Sequence, residues 1–196
     1  ARLRPVVGRL AAAGVTANEI TVSALIVSIA VGAAAIVGFE SFGATWPFLL
    51  LPAWVPVRMA MNAIDGMLAR EFGQSSALGA YLNELSDILS DAALYLPFAF
   101  VAPFGPWSVG LVIVAACISE LAGALGPLVG ATRRYDGPMG KSDRALAFGT
   151  LGLLVGLASP LPGAFFWAMP AVVLLVGWNI VHRVGRGVAE APKTRR

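Results

Sequence analysis

Residues 20–38 read ITVSALIVSIAVGAAAIVG, a run of nineteen residues without a single charge. A helix that crosses the hydrocarbon core of a bilayer needs about 20 apolar residues. The whole chain has the same character, since 58% of its residues are hydrophobic and 13% are charged, whereas soluble domains average about 25% charged. The sequence therefore predicts an all-α integral membrane protein.

Five further crossings are predicted outward from this run. Residues 41–57 are uncharged, and their helix is expected to continue to residue 72. The next helices are expected over residues 76–101 and 107–130, separated by a Pro- and Gly-rich break. The uncharged stretch 145–181 is too long for one crossing, and residues 159–163 (SPLPG) divide it into two. Six transmembrane helices result.

The N-terminal residues 1–14 place three arginines among apolar side chains, a pattern that suits an amphipathic helix on the membrane surface. We therefore interpret residues 1–196 as one membrane domain. It consists of the surface helix 1–14, a six-helix bundle over residues 15–190 and a basic tail over residues 191–196.

The distribution of positive charge predicts the orientation. Thirteen of the fourteen Lys and Arg residues fall at the N-terminus or after the second, fourth and sixth helices. By the positive-inside rule both termini face the cytoplasm, as expected for a multi-pass protein of the inner (cytoplasmic) membrane in contact with anionic lipids. The basic residues flank apolar spans, which argues against a nucleic-acid partner.

Polar side chains inside the predicted bundle concentrate on two neighbouring helices. Asn62 and Asp65 lie on the second helix, and Asn83, Asp87 and Asp91 lie on the third. An ionisable group in hydrocarbon costs about 2.5–3.5 kcal/mol or more, so such groups suggest function. Spacings of three and four residues put each set on one helical face. Because the two helices are antiparallel across a short cytoplasmic link, the two faces meet near the cytoplasmic side.

Two other intramembrane charges allow two interpretations. Arg58 and Glu120 either take part in function or serve helix packing, for example through a pair between Arg58 and Asp91 or Glu120.

The ligand chemistry available here favours a hard cation. The chain has one cysteine and one histidine, which excludes thiolate clusters and His-rich metal sites. Oxygen-only ligands suit Mg²⁺ or Mn²⁺, and such sites typically serve phosphate chemistry. Gly66 and Ala69 leave space beside the acids, and Arg70 could hold a phosphate at the cytoplasmic end.

Residues 65–87 resemble the signature of the CDP-alcohol phosphatidyltransferase family. The segment reads Asp65-Gly66-x-x-Ala69-Arg70, eight residues, then Gly79-x-x-x-Asn83-x-x-x-Asp87, where the family has D-x-x-D-G-x-x-A-R, eight residues, G-x-x-x-D-x-x-x-D. Residues 14–21 resemble the segment that opens the first membrane helix of that family.

The resemblance implies a phospholipid-synthesising enzyme that moves a phosphatidyl group from CDP-diacylglycerol to a polar alcohol and releases CMP. It further implies two divalent metals on the signature acids, a general base at the last acid, and a homodimer. Carried onto this chain, the metal ligands are Asn62, Asp65, Asn83 and Asp87. The CDP contacts are Thr21, Asp65, Gly66, Ala69, Arg70 and Gly79.

This chain departs from the signature at two of the four acids, where Asn62 and Asn83 replace aspartates. Two metal sites thus become one well-occupied site in our expectation, and both Asp87 and Asp91 are candidates for the base. A catalytically degenerate relative that binds CDP-lipid or acts as a scaffold is the alternative. A transporter is disfavoured because the acids lie near one side and no inverted repeat is visible.

A basic loop after the fourth helix is the candidate acceptor site. The positive-inside rule alone would explain its charges, yet glycines and a proline shape it tightly, and Ser142 or Asp143 could cap the next helix. By resemblance, Arg133, Lys141 and Arg144 contact the acceptor, a small alcohol that is phosphorylated in some relatives.

Overall fold

The computed structural model describes residues 3–192, and within that range the chain forms seven α-helices and no β-strand. Their bounds are α1 Arg4–Ala12, α2 Ala17–Phe42, α3 Leu50–Glu71, α4 Ala77–Tyr95, α5 Pro106–Ala124, α6 Lys141–Ala158 and α7 Ala168–Glu190. Short 3₁₀ turns join several of them. Arg2 of the predicted surface helix and the tail residues 193–196 lie outside the described residues.

Four helical segments of the described chain are long and apolar enough to cross a membrane. They are Ala17–Phe42, Trp46–Glu71, Pro106–Ala124 and Gly163–Glu190. Of the other two long helices, α4 carries acidic residues along its length, and α6 carries its charged residues in its first turn. The all-helical membrane class is therefore confirmed.

The predicted boundary between the first two long helices is wrong. The uncharged run at residues 41–57 suggested a second helix from residue 41, but α2 continues to Phe42 and α3 begins at Leu50. Gly43 ends α2 in a left-handed conformation (φ 61°), and its N–H donates to the carbonyl of Phe39 at 2.9 Å. Hydropathy registers apolar character and misses such a glycine cap.

The start of α2 is fastened to the link between α3 and α4. Thr16 and Glu19 form a capping box, and Gln74 accepts a hydrogen bond from the N–H of Ala17 at 2.7 Å. The Gln74 amide also donates to the carbonyl of Val15 at 3.3 Å. These bonds hold the first turn of α2 against the end of α3 and the start of α4.

Helix α2 packs on α3 and α4, α3 packs on α6, and α5 packs on α7. Gly32 permits the close approach of α2 to α4, because a Cβ there would lie 2.2 Å from the carbonyl oxygen of Ala93. The core at this level is aromatic, with the rings of Tyr95 and Phe148 stacked at 3.8 Å. A closely packed apolar half therefore supports a polar half, where the acids of α3 and α4 face each other.

Candidate active site

A cavity of about 430 Å³ opens between α2, α3, α4 and the first turn of α6. Every residue that the sequence predicted for metal or CDP contact lines it: Thr21, Asn62, Asp65, Gly66, Ala69, Arg70, Gly79, Asn83 and Asp87. Lys141, predicted for the acceptor, lines it as well. The structure thus brings the two helical faces together as their spacing predicted. We call this space the donor cavity.

Asp65 forms the buried side of the donor cavity. Its side chain is almost fully buried, and Oδ2 accepts a hydrogen bond from the Thr21 hydroxyl at 2.8 Å. That bond links α2 to α3 and fixes one carboxylate oxygen. Gly79 lets the Asn18 side chain of α2 lie close to α4, because a Cβ there would lie 2.9 Å from the Asn18 side-chain oxygen. Both residues line the donor cavity.

Asp87 lies on the open side and is surrounded by donors. Its Oδ1 lies 2.5 Å from the Lys141 ammonium and accepts a hydrogen bond from the Asn62 amide at 3.2 Å. Arg58 donates to the backbone carbonyl of Asp87 at 3.1 Å. The carboxylate is fixed in position, yet its side chain keeps about a fifth of its exposure. It is therefore accessible to a bound molecule.

Asp91, the alternative base, lies outside the donor cavity. It is buried and forms ion pairs with Arg58 at 2.6 Å and with Arg144 at 3.3 Å. One helical turn separates it from Asp87, and that turn places it in the packed interior. The arrangement fits a structural anchor for two arginines rather than contact with a substrate. Of the two pairings considered for Arg58, the structure has the one with Asp91.

A second cavity of about 330 Å³ adjoins the donor cavity and shares Asn83, Asp87 and Lys141 with it. Its other polar walls come from Glu120, Arg133, Asp143 and Arg183 together with the loop before α6. We call it the loop cavity. Asp87 and Lys141 therefore lie at the boundary between the two cavities.

Two of the three predicted acceptor residues, Arg133 and Lys141, line the loop cavity. Arg133 forms an ion pair with Glu84 and lies over the ring of Tyr135 at 4.5 Å. Burial lowers the pKa of the Arg133 guanidinium, opposed by the nearby Tyr135, but an arginine stays charged at any physiological pH. The permanent charge of Arg133 thus lies over the ring of Tyr135, and this contact joins two residues of the loop before α6.

The third predicted acceptor residue, Arg144, is not at this surface. Its side chain is fully buried, and it pairs with Glu120 at 2.8 Å and with Asp91 at 3.3 Å. It also donates to the carbonyl of Met139 at 3.1 Å. We correct its assignment from acceptor contact to an internal anchor of α6, because its fully buried side chain lines neither cavity.

Arg183 is the residue that sequence reasoning missed. It lies on α7, is almost fully buried, and donates to the carbonyl of Ser119 at 2.6 Å. It also lies 3.4 Å from Glu120 and lines the loop cavity. In the sequence, its positive charge was attributed to the positive-inside pattern alone, so no binding site was assigned to it. The available signal was its spacing of four residues from Asn179, which places both on one buried face.

Residues 14–181 match the CDP-alcohol phosphatidyltransferase family. The chain belongs to this family. It is 40% identical to the inner membrane protein YnbA of Escherichia coli over 183 residues, which cover 92% of this chain and 88% of YnbA. It is 29% identical to an archaetidylinositol phosphate synthase of Aeropyrum pernix over 136 residues, covering 64% of this chain and 69% of that enzyme.

Solved structures share the fold. The phosphatidylinositol phosphate synthase PgsA1 of Mycobacterium tuberculosis with CDP-DAG bound superposes with a TM-score of 0.76 at 20% identity, covering 100% of this chain and 98% of that chain. The same enzyme in complex with manganese and citrate gives a TM-score of 0.71 at 19% identity, covering 98% and 91%. At this identity the likeness concerns the fold.

The oxygen ligands that line the donor cavity suit one hard cation. No group of three or more Asp, Glu, His or Cys side chains that could hold a metal occurs among residues 3–192. Asp65 and Asp87 nevertheless offer two carboxylates beside the amides of Asn62 and Asn83. Mg²⁺ in proteins is commonly bound by one or two carboxylates together with waters and substrate phosphates. The residues present therefore fit a single ion that a diphosphate helps to hold.

Proposed function

We propose that this protein transfers a phosphatidyl group from CDP-diacylglycerol to a small polar alcohol and releases CMP. The observation that carries the proposal is the donor cavity, which gathers all the side chains of the family signature on one surface. The solved synthase with CDP-DAG bound, which shares the fold, supports the choice of donor.

The donor cavity offers distinct groups to each part of the nucleotide-lipid. Asp65 and Asp87, with Asn62 and Asn83, would hold Mg²⁺ or Mn²⁺ against the pyrophosphate. Arg70 supplies a positive charge at the cytoplasmic rim, where it can bind a phosphate. Thr21, Gly66, Ala69 and Gly79 line the remaining wall and leave room for the cytidine end. When bound, the cation offsets negative charge that develops on the departing phosphate.

Asp87 is the proposed general base, since it is the one carboxylate at the junction of the two cavities that both donor and acceptor reach. The acceptor oxygen forms a bond to the phosphorus that carries diacylglycerol. The bond from that phosphorus to the bridging pyrophosphate oxygen breaks, and CMP leaves with the electron pair. The hydroxyl proton passes to the Asp87 carboxylate, which must therefore be ionised before the reaction.

The loop cavity is the proposed acceptor site. Arg133, Lys141 and Arg183 give it three cations against the carboxylates of Asp87, Glu120 and Asp143. Glu120 already pairs with buried arginines, and Asp143 accepts a hydrogen bond from the N–H of Gly140 at 3.2 Å. Each of the three cations also has a carboxylate partner, Glu84, Asp87 or Glu120. A phosphate on the acceptor would bind these cations in exchange for part of those pairs, which favours an alcohol that bears a phosphate.

Replacement of Arg133 by glutamine should raise the KM for a phosphorylated acceptor. Loss of a charged hydrogen bond typically costs about 1.5–3 kcal/mol, so a roughly ten- to hundredfold increase is expected. The KM for CDP-diacylglycerol should change little. Arg134→Gln is the matched control, because Arg134 is adjacent but pairs with Glu190 away from the cavity. An equal effect of both variants would contradict this acceptor site.

We further propose that α2 to α7 all span the inner membrane, with α1 on the cytoplasmic surface beside the active site. Helices α4 and α6 are too polar to qualify by hydropathy, but their charges face ion-pair partners inside the bundle. Such pairing is how spanning helices carry charge. Assembly as a homodimer stays a prediction from the family, which cross-linking in native membranes would test.

The proposed topology predicts a simple labelling pattern. In a Cys117→Ala background, Pro138→Cys should react with an impermeant thiol reagent only from the cytoplasmic side, and Ala164→Cys only from the periplasmic side. Both positions are exposed in the structure. Labelling of intact cells, compared with inverted vesicles, makes the measurement. Reaction of both positions from one side would exclude the six-span arrangement.

The central test is release of CMP from CDP-diacylglycerol by the purified protein, with and without Mg²⁺ or Mn²⁺. The assay includes a panel of free and phosphorylated polyols. Release that requires both the metal and one acceptor supports phosphatidyl transfer. The substitutions at Asn62 and Asn83 favour a second candidate, a CDP-lipid-binding scaffold. Binding of the nucleotide-lipid without any CMP release would support that candidate.

A further inference from the structure

We propose that the Lys141 ammonium takes the place of a second divalent cation beside Asp87, so that the donor cavity holds one metal ion on its Asp65 side. This inference rests on the proposed phosphatidyl transfer and specifies the ion requirement of its site. It concerns a feature of this chain, the pair of asparagines in the signature.

The supply of ligands is too small for two divalent ions. Three carboxylates line the donor cavity, those of Asp65, Glu84 and Asp87. Glu84 is occupied by its ion pair with Arg133. Two carboxylates remain, and they lie on opposite helices. A second divalent ion would therefore have to bind with almost no compensating charge, which a partly buried site disfavours.

The groups around Asp87 explain why no second ion is needed there. An aspartate at position 62 would set two carboxylates side by side, and their repulsion would require a cation between them. Asn62 instead presents a donor to Asp87 Oδ1 at 3.2 Å. The Lys141 ammonium, 2.5 Å from the same oxygen, supplies one positive charge. The Arg58 guanidinium lies 3.6 Å from this oxygen as well. The ammonium is the nearer charge, and together with the amide and the guanidinium it satisfies an oxygen that would otherwise attract a metal.

Lys141 is held at this position by the start of α6. It is the first residue of that helix, and Arg144 anchors the same turn through its buried pairs with Asp91 and Glu120. The ammonium lines both cavities, so one fixed charge faces the donor phosphates and the acceptor together. A lysine needs no recruitment from solution, whereas a weakly held second ion would be lost at low metal concentration.

The test measures Mn²⁺ binding to the purified protein in nanodiscs by electron paramagnetic resonance, without nucleotide or lipid substrate. The parent chain should bind one Mn²⁺. Lys141→Met removes a competing positive charge and should tighten Mn²⁺ binding by about tenfold or more. Lys141→Arg keeps the charge and should behave as the parent. Arg134→Met is the matched control, because it removes a cation of the same loop that faces Glu190.

Restoring the signature aspartates should separate the effect of the missing carboxylates on Mn²⁺ binding from the effect of Lys141. Asn62→Asp with Asn83→Asp and Lys141→Met should bind two Mn²⁺, and the same double aspartate variant with Lys141 retained should bind the second ion at least fivefold more weakly. Lys141→Gln repeats the neutralisation with a polar side chain, and thermal unfolding verifies that each variant is folded.

Two results would overturn the inference. One is a parent chain that binds two Mn²⁺ with similar affinity. The other is an increase in Mn²⁺ affinity in Lys141→Met and Lys141→Gln that is less than five times the increase in Arg134→Met. Absence of Mn²⁺ binding in the parent and every variant would overturn the metal site itself, and with it the metal dependence of the proposed function. Because binding is measured without turnover, these failures are distinguishable.

Discussion

Replacement of Asp65 by alanine is expected to abolish metal-dependent binding of CDP-diacylglycerol. Asp65 is the one signature carboxylate kept on α3, and it forms the buried side of the donor cavity. Loss of a group that only supports a metal ligand already costs about 10–100-fold in affinity. Removal of a carboxylate that is itself a proposed ligand should cost more. Equilibrium binding of CDP-diacylglycerol, with and without Mg²⁺, gives the measurement.

Glu71→Ala is the matched control for this experiment. Glu71 lies on the same helix, but its carboxylate pairs with Arg4 at 3.5 Å near the surface and does not line the donor cavity. Its removal should leave binding within about twofold, as is usual for an exposed ion pair. Thr21→Val offers an intermediate case, because it removes the hydroxyl that holds Asp65 at 2.8 Å. If Asp65→Ala kept the metal-dependent affinity for CDP-diacylglycerol unchanged, the proposed donor site would be excluded.

The donor side of the site could be predicted because it depends on helical periodicity. Asn62 and Asp65 lie three residues apart, and Asn83 and Asp87 lie four apart, so each pair shares a face whatever the rest of the fold does. A short link forces the two helices to be antiparallel neighbours. These two facts suffice to bring all four side chains into one cavity, and the structure places them there.

The acceptor side could not be predicted in the same way because it depends on contacts between distant helices. Arg144 and Arg183 both read as cytoplasmic charges at helix ends. In the structure Arg144 is directed into the interior, where Asp91 and Glu120 neutralise it, whereas Arg183 reaches the loop cavity. The position of each guanidinium depends on how α6 packs on α3 and α4 and how α7 packs on α5, which hydropathy and charge counts do not contain.

Substitution of Asp87 by asparagine is expected to eliminate turnover, with a loss of about 10²–10⁴-fold if the carboxylate acts as general base. The amide keeps the size of the side chain and can still accept a hydrogen bond from the Lys141 ammonium, so the fold should persist. It cannot accept the acceptor proton, so the kcat should fall at every pH. Single-turnover release of CMP at saturating donor and acceptor isolates this step.

Asp91→Asn distinguishes a catalytic role of this carboxylate from a role in stabilising the fold. The substitution leaves Arg58 and Arg144 short of a buried counter-charge, and breaking a buried pair typically costs about 3–5 kcal/mol of stability. We therefore expect a lower unfolding temperature, while the kcat of the molecules that remain folded falls far less than in Asp87→Asn. Asp91→Glu should recover part of the stability, because it restores the charge. The assignment of the base to Asp87 is falsified if Asp91→Asn removes turnover and Asp87→Asn does not. Such an outcome would mean that Arg58 and Arg144 release Asp91 when substrates bind, since in the structure both its oxygens are engaged by these two arginines.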